Sequence, residues 1–204
     1  MLDLIGPEEV QPAGSVAREG VGFGRRALAQ GIDLVVHLVI GAVIGVVATI
    51  LVLLGAGFRG VSPDPALARL SATSFLSFAV ALLGGTAMRT LSEGLHGSTL
   101  GKRLCGIIVI AEDGGPSNMV GAIKRNIAYY VDSLFFGLVA YQKMAETPKR
   151  QRIGDRWGHT MVVRIAGLDK STRPSGLRFA AAALLGLTAD GLTIFMELAY
   201  RLVQ

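Results

Sequence analysis

Between Leu34 and Phe58 the chain runs for 25 residues without a Lys, Arg, Asp or Glu. As a helix that run is about 37 Å long, more than the roughly 30 Å of a bilayer's hydrocarbon core. Composition agrees with the class this implies. Of 204 residues 51% are hydrophobic and only 17% charged, where a soluble domain carries nearer a quarter charged. An integral membrane protein is expected.

Three further apolar segments follow, at Leu70–Thr86, Ile127–Tyr141 and Leu177–Leu202. The third is only about fifteen residues and contains Asp132 and Ser133. Basic residues decide how it lies. Lys102, Arg103, Lys124 and Arg125 precede it, and nine Lys and Arg follow between Lys143 and Arg178. Four crossings would place those two basic stretches on opposite faces, against the positive-inside rule. Three crossings, with the third segment interfacial or re-entrant, keep both cytoplasmic. The expected fold is therefore all-α, with three to four apolar helices and a small cytoplasmic β-hairpin-like subdomain. The N-terminus and basic loops face the cytoplasm of a multi-pass protein in the inner (plasma) membrane. The net charge of +5 reads as orientation and as affinity for anionic lipid, not for nucleic acid.

The expected division is a loose tail over 1–23, a membrane domain over 24–165, a linker over 166–176 and an additional C-terminal helix over 177–204. Within the membrane domain, helix one covers 26–58 and helix two 66–90. A strand, turn and helix occupy 98–126, an apolar segment 127–144, and a loop with a strand 145–165. "CGIIVI" and "HTMVVRI" are the two β-like runs. The helix between them starts at Ser117 or Asn118, both good N-caps.

The first helix is not apolar throughout. At 100° per residue Arg26, Gln30, Asp33 and His37 fall within about 60° of one line, three turns deep. Arg25 falls about 100° away. A carboxylate there costs a few kcal/mol or more in hydrocarbon, so the face must meet protein or water. Two readings follow. In one, Arg26 snorkels to cytoplasmic headgroups and Asp33 pairs with a basic residue as a structural lock. Alternatively Arg26, Asp33 and His37 line a path for an ion, a proton or an anionic solute. Gly41 and Gly45, in "GAVIG", permit close helix packing and are the expected contact of an oligomer. Asp190 and Glu197, seven apart, share a face of the last helix.

Taken together, "RRALAQGID", "STLGKRLCGIIVIAEDGGPS", "AIKRN" and "KRQRIGDRWGHTMVV" resemble the RDD family of small bacterial membrane proteins over roughly residues 20–165. The resemblance places the family's arginine on Arg26 and its first aspartate on Asp33. The second falls on Asp155 of "RIGDRW", with Asp132 as the alternative. It implies transport of unidentified ligands, with cation/proton exchange in some members and an accessory or assembly role in others. It also implies that Asp155 reaches the mouth of helix one and meets Arg26. The leading expectation is a small transporter or ion-handling protein using Arg26, Asp33, His37 and Asp155. Gln30, Arg125, Asp132 and Asp190 are secondary candidates. The alternative is a scaffold subunit whose ion pairs fix helix register.

Other chemistries find no support in the residues. "GVGFG" lacks a preceding strand, and "STLGKR" lacks the first Gly of a phosphate loop. His37, His96 and His159 have no ligating neighbours at metal spacing. No Ser sits in a nucleophile elbow. No metal, cofactor or enzymatic activity is expected, and the protein partner is a second copy or another membrane subunit.

Overall fold

The computed structural model describes residues 19–72, 74–168 and 175–203. Helix α1 runs Phe23–Arg59, 37 residues or about 55 Å. It ends where Gly60 turns left-handed at φ 66°. Helix α2 (Asp64–Ser71) follows, then α3 (Phe75–His96) and the short α4 (Leu100–Leu104). Strand β1 (Ile107–Ala111) leads to α5 (Met119–Asp132), capped by Asn118, whose side chain accepts the Gly121 N–H. Helices α6 (Leu134–Ala145) and α7 (Ile153–Trp157), strand β2 (Thr160–Arg164) and helix α8 (Gly176–Val203) complete the order.

Among the described residues three helices are long and apolar enough to cross a membrane: α1, α3 and α8. Their outward faces carry Leu38, Val43, Leu51, Phe78, Leu83, Leu185 and Phe195, all exposed. None of the most apolar 18-residue window of α1 is buried inside the protein. So continuous an apolar surface is far larger than a water-soluble monomer tolerates.

Small residues bring α3 and α8 together. A Cβ on Gly84 would collide with Asp190 and Thr193 of α8, and one on Gly186 with the Met88 carbonyl and Ser92 of α3. Gly41 has Ile194 of α8 at ordinary contact distance, but a Cβ on Gly45 would meet no atom within 4 Å. Gly45 is thus no packing position within the chain.

Several expected boundaries shift. Helix two is not one rod over 66–90. The Ser74 hydroxyl accepts the Ser77 N–H and starts α3 afresh, while Arg201 of α8 caps the end of α2 at the Leu70 (2.8 Å) and Ala72 carbonyls. The segment over 127–144 breaks at Ser133 into the end of α5 and the 12-residue α6, neither long enough to span. The two β-like runs do pair as a small two-stranded sheet, although not through a tight hairpin connection. They pair antiparallel, Ile107 opposite Arg164 through Ala111 opposite Thr160, with α5, α6 and α7 inserted between them. Of the expected loose tail, residues 1–18 lie outside the described residues. Val21 does not fit that expectation: it is buried, and its N–H donates to the Val162 carbonyl at 2.9 Å. Of the expected linker, residues 169–174 lie outside the described residues.

Candidate functional site

The polar stripe of α1 faces inward, and each of its groups is engaged by a different element. Arg26 sits at the start of the helix, 3% exposed, and all three of its nitrogens donate. Nε donates to the Val21 carbonyl at 2.9 Å, Nη2 to the Arg150 carbonyl at 2.7 Å, and Nη1 to Asp155 Oδ2. Asp155 is fully buried on α7. Its Oδ2 also accepts the Arg152 N–H at 3.1 Å, and its Oδ1 lies 3.4 Å from Arg125 Nη1. Burial alone pushes this carboxyl up. Arg26, Arg125 and Arg152 overcome that and hold it well below the usual carboxylate range.

Arg125 of α5 bridges this acid to a second one. Its Nη2 lies 3.4 Å from Glu93 Oε2 on α3, and Glu93 Oε1 accepts from Lys102 on α4. Burial drives Lys102 down to about 8, although Glu93 pulls the other way. The network thus ties α1, α3, α4, α5 and α7 into one body.

Asp33 lies two turns above Arg26 and is 2% exposed. Among the described residues it pairs with no basic residue, and Arg26 is buried in the protein rather than snorkelling outward, which corrects the structural-lock expectation. Thr99 donates its hydroxyl to Oδ2 at 2.6 Å, and the Gly101 N–H donates to Oδ1 at 2.8 Å. The first turn of α4 can approach this closely because residue 101 is glycine: a Cβ would strike the Ala29 carbonyl. Asp132 plays a similar part at α7, accepting the Ile153 and Gly154 N–H groups at 3.1 and 3.2 Å. Burial raises its pKa above the ordinary value.

His37 is engaged elsewhere. One turn beyond Asp33, its Nδ1 lies 2.9 and 2.8 Å from the two carboxylate oxygens of Asp190 on α8. Asp190 is fully buried. Gly85 of α3 lies against the imidazole and Gly84 against the carboxylate, so α1, α3 and α8 meet at this pair. Gln30 is half-buried and lines a cleft of about 250 Å³ beside Arg26, Tyr129, Asp132 and Arg152.

The residues proposed from the sequence therefore form two stations rather than one line. Arg26, Asp155, Arg125 and Asp132 gather at the base of α1, with Asp33 just above. His37 and Asp190 form a second centre among the apolar helices. Gly41 and Gly45 belong to neither. Thr99, Lys102 and Glu93 join the site from outside the stripe, and two of them carry a local signal: Thr99 precedes "LGKR" as an N-cap, and Glu93 is a lone acid late in an apolar helix. Among the described residues, no group of three or more His, Cys, Asp or Glu converges on a metal position.

Three long apolar helices, an inward-facing ion network at one end and a small sheet beside it define a membrane-type helical protein with a charged base. The RDD family profile matches residues 21–159, and the chain belongs to the RDD family. No curated protein and no solved structure matches it. The match ends before α8, so the partner that His37 finds in Asp190 comes from outside the shared region.

Proposed function

We propose that the protein crosses the bilayer three times, through α1, α3 and α8, and handles protons or small cations at the His37–Asp190 pair. The orientation rests on charge. The stretch between α1 and α3 carries only Arg69, whereas residues 97–175 carry twelve Lys and Arg. The positive-inside rule then sets the ion network and sheet on the cytoplasmic side of the plasma membrane. Three spans enclose little volume, so a second copy would complete any pathway, and anionic lipid would meet the basic face.

The carrying observation is the pair itself, an acid and an imidazole facing each other where three apolar helices meet. An ionisable group inside such a layer is expensive, and function is the usual reason it is retained. Histidine as a residue type exchanges its proton near neutral pH. Arg26, Asp33 and Asp155 take the other role in this reading: every one is hydrogen-bonded and dry, which suits a lock better than a carrier.

Proteoliposomes test it. The parent should dissipate an imposed pH gradient in the presence of Na⁺ or K⁺ faster than empty vesicles, and Asp190→Asn and His37→Gln should abolish the excess. Parent flux equal to that of empty vesicles, across cations and pH gradients, sinks the proposal. The second reading, a non-transporting assembly subunit, draws support from the sealed environment of Asp33. It gains if Asp33→Asn prevents accumulation of folded protein while flux is never seen.

A further inference from the structure

We propose that the cleft between α1, α5 and α6 binds a phosphate-bearing anion, with Arg152 as its anchor. The cleft holds about 250 Å³, and its walls include Phe23, Gln30, Tyr129, Ser133, Ala140 and Arg152. Behind it lies a void of about 10 Å³ that shares Gln30, Tyr129 and Arg152 and adds Arg89. The void is room for about one water molecule.

The buried cations at this base differ in how fully their nitrogens are hydrogen-bonded. Arg26 has all three nitrogens engaged, and Lys102 and Arg125 both reach Glu93. Arg152 is different. Its side chain is more than nine-tenths buried and its Nε, like that of Arg125, has no hydrogen-bond partner among the described residues, but it lacks the 3.4 Å approaches that Arg125 makes to Glu93 and Asp155. Its nearest acid oxygen, Asp155 Oδ2, is 3.9 Å away. Arg89 repeats the pattern: its guanidinium lies 4.4 Å above the Tyr129 ring, and its buried Nε is also unpartnered. Two guanidiniums, each with an unpartnered Nε, therefore line neighbouring spaces that share Gln30, Tyr129 and Arg152, with Asp33 and Glu93 also bordering the smaller one, and a buried donor left so is costly.

A phosphate in the cleft supplies acceptors to these guanidiniums. A guanidinium fork matches two oxygens of a phosphate, which a halide cannot offer. Hydroxyls of Tyr129 and Ser133 and the amide of Gln30 are available donors along the wall. Asp132 also lines the cleft, but both of its oxygens receive α7 N–H groups. Phe23, Ala27 and Ala140 give the space an apolar side, which suits an ester carrying a glyceryl or short aliphatic part. The same chemistry is offered by an anionic lipid headgroup and by a soluble phosphate ester.

The test uses the full chain, delipidated in detergent, with binding followed by calorimetry and thermal stability. One arm adds inorganic phosphate against chloride at equal ionic strength. The other adds short-chain phosphatidylglycerol against diacylglycerol in mixed micelles. The parent should bind at least one phosphate probe and neither control. Response to phosphatidylglycerol alone assigns the lipid headgroup, and response to inorganic phosphate assigns a soluble ester. Arg152→Gln should weaken binding about tenfold or more, the loss of one charge-assisted contact. Arg89→Gln and Gln30→Leu, which remove no hydrogen bond among the described residues, should weaken it less and guard against a folding defect in the first variant. Failure of both probes to bind above their controls, or parental binding by all three variants, overturns the site.

Discussion

Arg26 and Asp155, 129 positions apart, form a buried ion pair that fastens the start of the first long helix to the five-residue helix before the last strand. Two more guanidiniums, Arg125 and Arg152, flank the same acid. Removing the carboxylate therefore leaves Arg26 and Arg152 with no acid within ion-pair distance among the described residues and Arg125 with Glu93 alone. Asp155→Asn should cost about 3–5 kcal/mol of stability in detergent. Arg26→Gln should cost a similar amount, and the double variant clearly less than the sum, since each change removes the same contact. Denaturant titration of the four proteins measures the coupling.

Acid should reveal the same acid by its sign. The carboxyl of Asp155 is held below its ordinary value of about 4 in the folded protein, so folding favours its ionised form. That contribution is complete above the unfolded value and is lost as pH falls below about 4. The stability difference between parent and Asp155→Asn should thus be constant from pH 7 down to about 5 and shrink below that. A difference that grows on acidification would contradict the charge assignment.

The sealed pocket around Asp33 predicts a smaller effect of a different kind. Thr99→Val removes the hydroxyl donor and leaves Oδ2 buried without it. A loss of about 1–3 kcal/mol is expected, read from the thermal midpoint in detergent. Gly101→Ala should be worse, because the added carbon meets backbone rather than a movable side chain.

Glycines separate packing within the chain from packing between chains. Gly186→Val places carbon against the Met88 carbonyl and Ser92 and should eliminate folded protein, seen as loss of the monodisperse peak in size exclusion. Gly45→Ala meets nothing, so helix propensity alone should raise stability by about 0.8–1 kcal/mol. If instead it dissociates an oligomer, a second copy sits against α1 at that point.

The stripe of Arg26, Gln30, Asp33 and His37 was legible because helical periodicity is a local property, written in spacings of three and four. The two β-runs were legible for the same reason, from their β-branched content. What each group touches was not. Of the helix glycines that permit contact, Gly84 stands in no small-xxx-small pattern and Gly186 stands in one with the buried Ala182, whereas Gly41 and Gly45 form such a pattern and pack less. Asp190 could be placed on a helix face, but only the crossing of α1, α3 and α8 brings it to His37. The break at Ser74 depends on one hydroxyl and on Arg201, 127 residues further on, and nothing in the run Leu70–Thr86 announces it. Local spacing specifies faces; long-range packing selects partners.

The distance along the chain between Arg26 and its acid carries a consequence for synthesis. At roughly 5–20 residues per second, on the order of ten seconds separate the emergence of the first helix from that of residue 155. Throughout that interval the nascent protein holds an unmatched positive charge at the foot of its most hydrophobic element. Only when residue 155 has been added does the counterpart arrive, so a polypeptide that stops short of it is chemically distinguishable at the foot of that helix from one that contains it.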